Sequence, residues 1–102
     1  MFEVDDIIVC SYGYDCRLVD FYKVVGVTKS GKSIKIRQVG EKTVSDDGYG
    51  QAGYVKPTDE FVSEKVLTRK IHEGIWQPFV KITDYSYGYK WDGKKVEFDT
   101  YD

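Results

Sequence analysis

The sequence predicts a mainly β protein: a single small curled sheet or an SH3-like β-barrel of about five or six strands. Three observations predict it. Short apolar runs rich in β-branched and aromatic residues recur from Ile7-Ile8-Val9-Cys10 to Val96-Glu97-Phe98. Gly-containing turn signals separate them, at Lys29-Ser30-Gly31-Lys32, Glu73-Gly74 and Asp92-Gly93. The 102 residues are enough for one β domain with a modest core, and in so small a protein a closed sheet removes exposed strand edges.

Ile7–Cys10 reads as the first strand, and Ser11–Leu18 (SYGYDCRL) as a loop or bulge around Gly13. Val19–Thr28 is the second strand. Its apolar residues fall on both faces, Val19, Phe21, Val25 and Val27 on one, Tyr22 and Val24 on the other. Such a strand is central or strongly bent, and Gly26 marks a bend. Gly31 suits a hairpin turn into the third strand, Ser33–Val39, where Ile34 and Ile36 alternate with Lys35 and Arg37.

Gly40–Gly53 (GEKTVSDDGYGQAG) reads as a long Gly-rich loop. Tyr54-Val55-Lys56 is a short strand ended by Pro57, and Thr58-Asp59-Glu60 a turn or one helical turn. Glu64–Ile71 mixes strand and helix formers and is read as a strand because its neighbours are strands. Ile75–Ile82 is a strand that Pro78 places at an edge or bulge. In the polar, aromatic segment Thr83–Lys95, Thr83 or Asp84 could cap a short helical turn. Val96–Tyr101 alternates and closes the fold.

Ser11-Tyr12-Gly13-Tyr14 recurs as Ser86-Tyr87-Gly88-Tyr89. Both copies are expected in loops. No wider repeat surrounds them, and coincidence in a Tyr- and Gly-rich chain is the simpler reading.

The formal net charge of −2 argues against wholesale charge-driven binding to nucleic acid. The charge is nevertheless uneven. Phe21–Gly40 holds Lys23, Lys29, Lys32, Lys35 and Arg37 and no acid; Glu41–Glu64 holds six acids against Lys42 and Lys56. The acidic start MFEVDD and the short Ile7–Cys10 run do not form a signal core, so the expectation is a cytoplasmic protein with reduced Cys10 and Cys16.

Tyr12-Gly13-Tyr14-Asp15, followed by Val19-Asp20-Phe21-Tyr22-Lys23-Val24-Val25, resembles a small family of proteins from phages, plasmids and integrated mobile elements, with a W-G-Y-D-x-x-N-x-D-F-Y-like segment. Ile36-Arg37-Gln38-Val39-Gly40, Val55-Lys56-Pro57, Val80-Lys81-Ile82, Trp91-Asp92-Gly93 and Thr100-Tyr101 are similar to later family segments. The chain departs from the pattern at Tyr12, where the family has Trp, and at Cys16-Arg17-Leu18, where it has Gln-Thr-Asn. The resemblance implies a mobile-element origin and a host cytoplasm, and it carries no mechanism.

No constellation for catalysis is legible. His72 is the one histidine, and neither Cys10 nor Cys16 lies in a nucleophile motif. The two cysteines lack zinc-knuckle spacing. Asp5-Asp6, Asp46-Asp47 and Asp59-Glu60 read as solvated loop acids, and Gly48, Gly50 and Gly53 lack the Gly-Lys-Ser/Thr of a phosphate loop. The expectation is therefore a non-enzymatic protein without cofactor or metal.

Two functions follow from these features. The first is a module that binds a host or defence protein, acting as an anti-defence inhibitor of the anti-CRISPR type, with Tyr12, Tyr14, Asp15, Asp46, Asp47, Tyr49 and Tyr87 as contacts. The alternative is a small nucleic-acid-binding barrel. Lys29, Lys32, Lys35 and Arg37 of the 23–37 hairpin would hold phosphates, and Tyr12, Tyr22 or Tyr87 would stack on bases.

Overall fold

Antiparallel pairing governs the whole chain. The computed structural model describes residues 2–12, 18–46, 48, 52–75, 77–83 and 86–99. These form β1 (Ile7–Tyr12), β2 (Leu18–Val27), β3 (Ser33–Asp46), β4 (Ala52–Glu73), β5 (Pro78–Thr83), β6 (Ser86–Lys90) and β7 (Val96–Asp99), with no helix among the described residues. The sheet runs β3-β2-β1-β6-β5-β4, and β4 pairs back onto β3. Six strands thus close into a ring, the expected curled sheet. β7 adds a seventh strand on Ala52–Val55, the first residues of β4.

The β2–β3 hairpin forms where the turn signal lies. Gly31 takes φ +70°, which a residue with a Cβ adopts at a cost, and its N–H donates to the Thr28 carbonyl at 2.9 Å. A bulge falls between Val24 and Gly26, the bend that Gly26 signalled. It also breaks the alternation of β2, so Val25 and Val27 are exposed rather than continuing the face of Val19 and Phe21.

The largest departure from the sequence reading is Gly40–Gly53. Residues 40–46 belong to β3 and 52–53 to β4, and the rest of the expected loop except Gly48 lies outside the described residues. Pro57 does not end a strand, and Thr58–Glu60 is neither turn nor helix; β4 runs through all four. The reason is pairing. Glu41↔Pro57, Lys42↔Lys56 and Thr43↔Val55 give the backbone a ladder that outweighs weak local propensity. The register slips between Val39↔Phe61 and Glu41↔Pro57, which places Pro57 beside a bulge, where it is tolerated. Gly40 makes that bulge fit: a Cβ there would lie 2.9 Å from Thr58 Oγ1 and 3.3 Å from Val62 Cγ1. Glu64–Ile71 is strand, as read.

β5 starts at Pro78, later than the expected Ile75, because Gly74 N–H bonds back to the Gln77 carbonyl at 3.2 Å and Ile75 is 94 % exposed. Thr83 ends β5 and caps no helix; Asp84 lies outside the described residues. The second Ser-Tyr-Gly-Tyr copy is strand β6, not a loop. Gly88 faces the core so closely that a Cβ would sit 2.6 Å from Ile8 Cγ2 and 3.2 Å from Val80 Cγ2. Of the first copy, Ser11 and Tyr12 end β1, and Gly13 and Tyr14 lie outside the described residues. The copies meet: β1 pairs with β6, with Ser11 opposite Tyr87.

The ring wraps one core, centred on Ile8, Val24, Ile34, Ile36 and Val80, all with no exposed surface. A second cluster lies on the outer face: Val19, Phe21, Val39 and Val55, with Trp91 and Val96 packed against it. The two-faced apolar pattern of β2 follows from this. Tyr22 and Val24 fill the ring, while Val19 and Phe21 are covered from outside by the β3–β4 arm (residues 40–46 and 52–63) and the chain after β6.

Candidate binding surface

Alternation along β5 and β6 creates the feature of interest. Val80 and Ile82 are buried in the ring, so Phe79 and Lys81 face outward; Ser86 and Gly88 are buried, so Tyr87 and Tyr89 face outward. Register places His72 opposite Phe79 and Phe79 opposite Tyr89. The rings are in contact. His72 stacks on Phe79 at 5.3 Å with 18° between planes, Tyr87 meets Phe79 edge-on at 5.6 Å, and Tyr89 lies 5.9 Å away at 43°. Tyr87 is 44 % and Tyr89 39 % exposed. Through Tyr89↔Val9 and Val9↔Phe21 the row runs on into the covered outer cluster, where Trp91 meets Phe21 edge-on at 6.4 Å.

Among the described residues, the outward positions on this surface carry lysines. The outward positions of β4 from Val66 to His72, of β5 at Phe79 and Lys81, and of β6 at Tyr87 and Tyr89 include Lys70 and Lys81 and no carboxylate. Lys35 lies next to them, opposite Thr68. Exposed Glu64 and Glu73 lie on β4 just outside this stretch, and Asp5 and Asp6 pair with Lys23 at 3.7 Å and Lys90 at 3.5 Å.

Of the residues singled out in the sequence, Tyr87 stands in the middle of the aromatic row. Tyr12 ends β1 and Asp46 ends β3, while Tyr14, Asp15, Asp47 and Tyr49 lie outside the described residues. Lys29 and Lys32 are exposed in the β2–β3 turn, and Lys35 is exposed on β3. Arg37 is engaged within the fold. Its Nε donates to the Ser63 carbonyl at 3.0 Å, and its guanidinium sits 3.9 Å from the centre of the Phe61 ring. Tyr22 cannot stack on a base, since it is 8 % exposed inside the ring.

The sequence reading marks neither Phe79 nor Tyr89 as a site residue, and it weighs His72 only for catalysis. The signal was present as the period-2 alternation of Phe79-Val80-Lys81-Ile82 and of Ser86-Tyr87-Gly88-Tyr89, hidden by reading Gly88 as a loop residue.

Cys10 and His72 lie on opposite faces of the sheet, so they form no nucleophile–base pair. Burial holds the Cys10 thiol above its ordinary pKa; a hydrogen bond with Ser86 lowers it in part and the Asp20 charge raises it further. Such a thiol is inert. Among the described residues no three His, Cys, Asp or Glu side chains converge as metal ligands. Comparison with protein-family models, with curated proteins and with solved structures finds no match to this chain.

Proposed function

We propose that this protein is a non-catalytic binding module that holds single-stranded nucleic acid on the outward face of β4, β5 and β6. The observation that carries this reading is the row His72–Phe79–Tyr87/Tyr89, open to solvent on a face whose described outward positions include lysines and no acid. Aromatic rings on a sheet face accept unstacked bases, and flanking cations hold the phosphates. Compared with the hairpin reading, the basic residues engaged shift to Lys35 and Lys70, and Tyr87 and Tyr89 do the stacking.

The test is fluorescence anisotropy with labelled oligothymidine and oligouridine of about 15 nucleotides, at about 50 mM and about 200 mM salt. Binding that weakens with salt, and weakens by about 5- to 100-fold in Tyr87→Ala or Tyr89→Ala, supports the proposal. Absence of binding at the lower salt rejects it.

A second reading is a phage or mobile-element product that binds and blocks a host or defence protein in the host cytoplasm. It rests on the net charge of −2 and on exposed apolar residues of the β3–β4 arm, Val44, Phe61 and Val62. A tagged pull-down with and without nuclease separates the two. A single stoichiometric protein partner that survives nuclease, and is lost in Val62→Asp but kept in Tyr87→Ala, favours this second reading.

A further inference from the structure

The ring is not zipped all the way round. β4 and β5 are paired only at Ile71↔Val80, His72↔Phe79 and Glu73↔Pro78. Before Ile71, β4 follows β3; after Val80, β5 follows β6. Arg69 spans the opening. Its Nε donates to the Ile82 carbonyl at 3.0 Å and its Nη1 to the Thr68 carbonyl at 2.9 Å.

Arg69 helps line a partly open cavity of about 250 Å³. Tyr22, Leu67 and Ile82 supply its apolar wall, and Gln38, Lys65 and Arg69 its polar one. That volume holds about eight waters at ~30 Å³ each, below the ~300–1,000 Å³ of pockets for drug-sized ligands. No carboxylate of a described residue lines it. Arg69 is half-buried, and both of its hydrogen bonds go to neutral carbonyls. A guanidinium in this setting keeps N–H groups to spare and has no counter-charge among the described residues, while its fork is already fixed in place.

We propose that this cavity is a binding site for a small organic anion: a carboxylate or phosphate head held by Arg69 and Lys65, on a compact apolar body seated against Leu67, Ile82 and the Tyr22 ring. The site lies inside the ring and shares no side chain with the aromatic row, so it stands or falls independently of the nucleic-acid reading.

Backbone-amide chemical-shift titrations of the full chain test it. The probes are benzoate and phenyl phosphate, with benzyl alcohol as the neutral control and inorganic phosphate as the control without a body. The expected result is saturable shifts at Gln38, Leu67, Arg69 and Ile82, with one of the anions binding at least about tenfold more tightly than benzyl alcohol. Which anion binds better identifies the head group; inorganic phosphate alone should bind more weakly than phenyl phosphate. Lys65→Glu, at an exposed position, should weaken the anions at least about fivefold while leaving benzyl alcohol unchanged. Leu67→Trp should fill the cavity and abolish binding. Equal binding of benzyl alcohol and the anions overturns the proposal. So do shifts scattered away from the cavity, or full affinity in Lys65→Glu, and that last outcome holds even if Leu67→Trp fails to fold.

Discussion

The outer face of this sheet is treated in two ways. Over β1, β2 and β3 it is roofed: Val19, Phe21 and Val39 are buried beneath Val55 of the arm and Trp91. Over β5 and β6 the same face is left open, with Tyr87 and Tyr89 about two-fifths exposed. Both halves are aromatic, and one cross-strand row joins them. The roofed half shows that the chain can cover apolar residues on this side by folding back its own segments. Aromatic side chains left outside that cover are available to a ligand, and Tyr is the residue type that tolerates both conditions.

The largest expected effect lies under the roof. Phe21→Ala removes a ring that is 1 % exposed and should cost about 3–5 kcal/mol in urea unfolding. A loss under about 1 kcal/mol would show that the roof is not a packed core and would erase the contrast between the halves. Next is Gly88→Ala, which drives a methyl toward Ile8 and Val80 and should cost about 1–3 kcal/mol. A neutral result would mean that β6 can move off the ring.

Arg37→Ala should cost about 1–2 kcal/mol, since it removes the Ser63 and Phe61 contacts at the register shift between Arg37↔Val66 and Val39↔Phe61. If only oligonucleotide binding changed and stability did not, Arg37 would belong to the open surface after all. Tyr87→Ala, on the open half, should alter stability by no more than about 0.5 kcal/mol. A loss comparable to that of Phe21→Ala would make the row a structural element and not a ligand face.

The smallest effect is a pH trend at Glu41, where β3 leaves the ring. Partial burial, and then the Asp20 charge, hold the Glu41 carboxyl above its ordinary pKa. The folded chain therefore binds that proton more tightly than the unfolded chain. Stability should fall as pH rises from the ordinary carboxylate range through the raised value. Glu41→Gln should flatten this slope in urea midpoints measured from about pH 4 to about pH 7. An unchanged slope would assign the trend to other groups. Because the side chain is largely exposed, the difference should be slight.

Much of the fold was legible, and for local reasons. β-branched runs marked β1, β2 and the first half of β3; Gly31 and Gly93, both at positive φ, marked turns; and the mixed Glu64–Ile71 segment yielded to the context of its neighbours. The misreadings cluster at Gly and Pro. Gly40, Pro57 and Gly88 look like breaks in the chain, yet Gly40 and Gly88 sit where a bulge or a close side-chain approach needs them, and Pro57 sits beside a bulge that tolerates it. The candidate surface suffered from the same cause. Tyr87 was found, while its neighbours Tyr89, Phe79 and His72 come together only through strand register.

The sequence by itself determined the β class, the closing of a short chain into a curled sheet and the two-sided character of β2, because side-chain period and turn chemistry are local properties. Tertiary structure decided that 40–46, 52–53 and 57–63 are strands, that Ser11-Tyr12 and the second Ser-Tyr-Gly-Tyr copy lie on neighbouring strands, and which half of the outer face stays open. Those outcomes depend on the backbone partner each segment finds across the sheet and on what folds back over it, and residues far apart in the chain supply both.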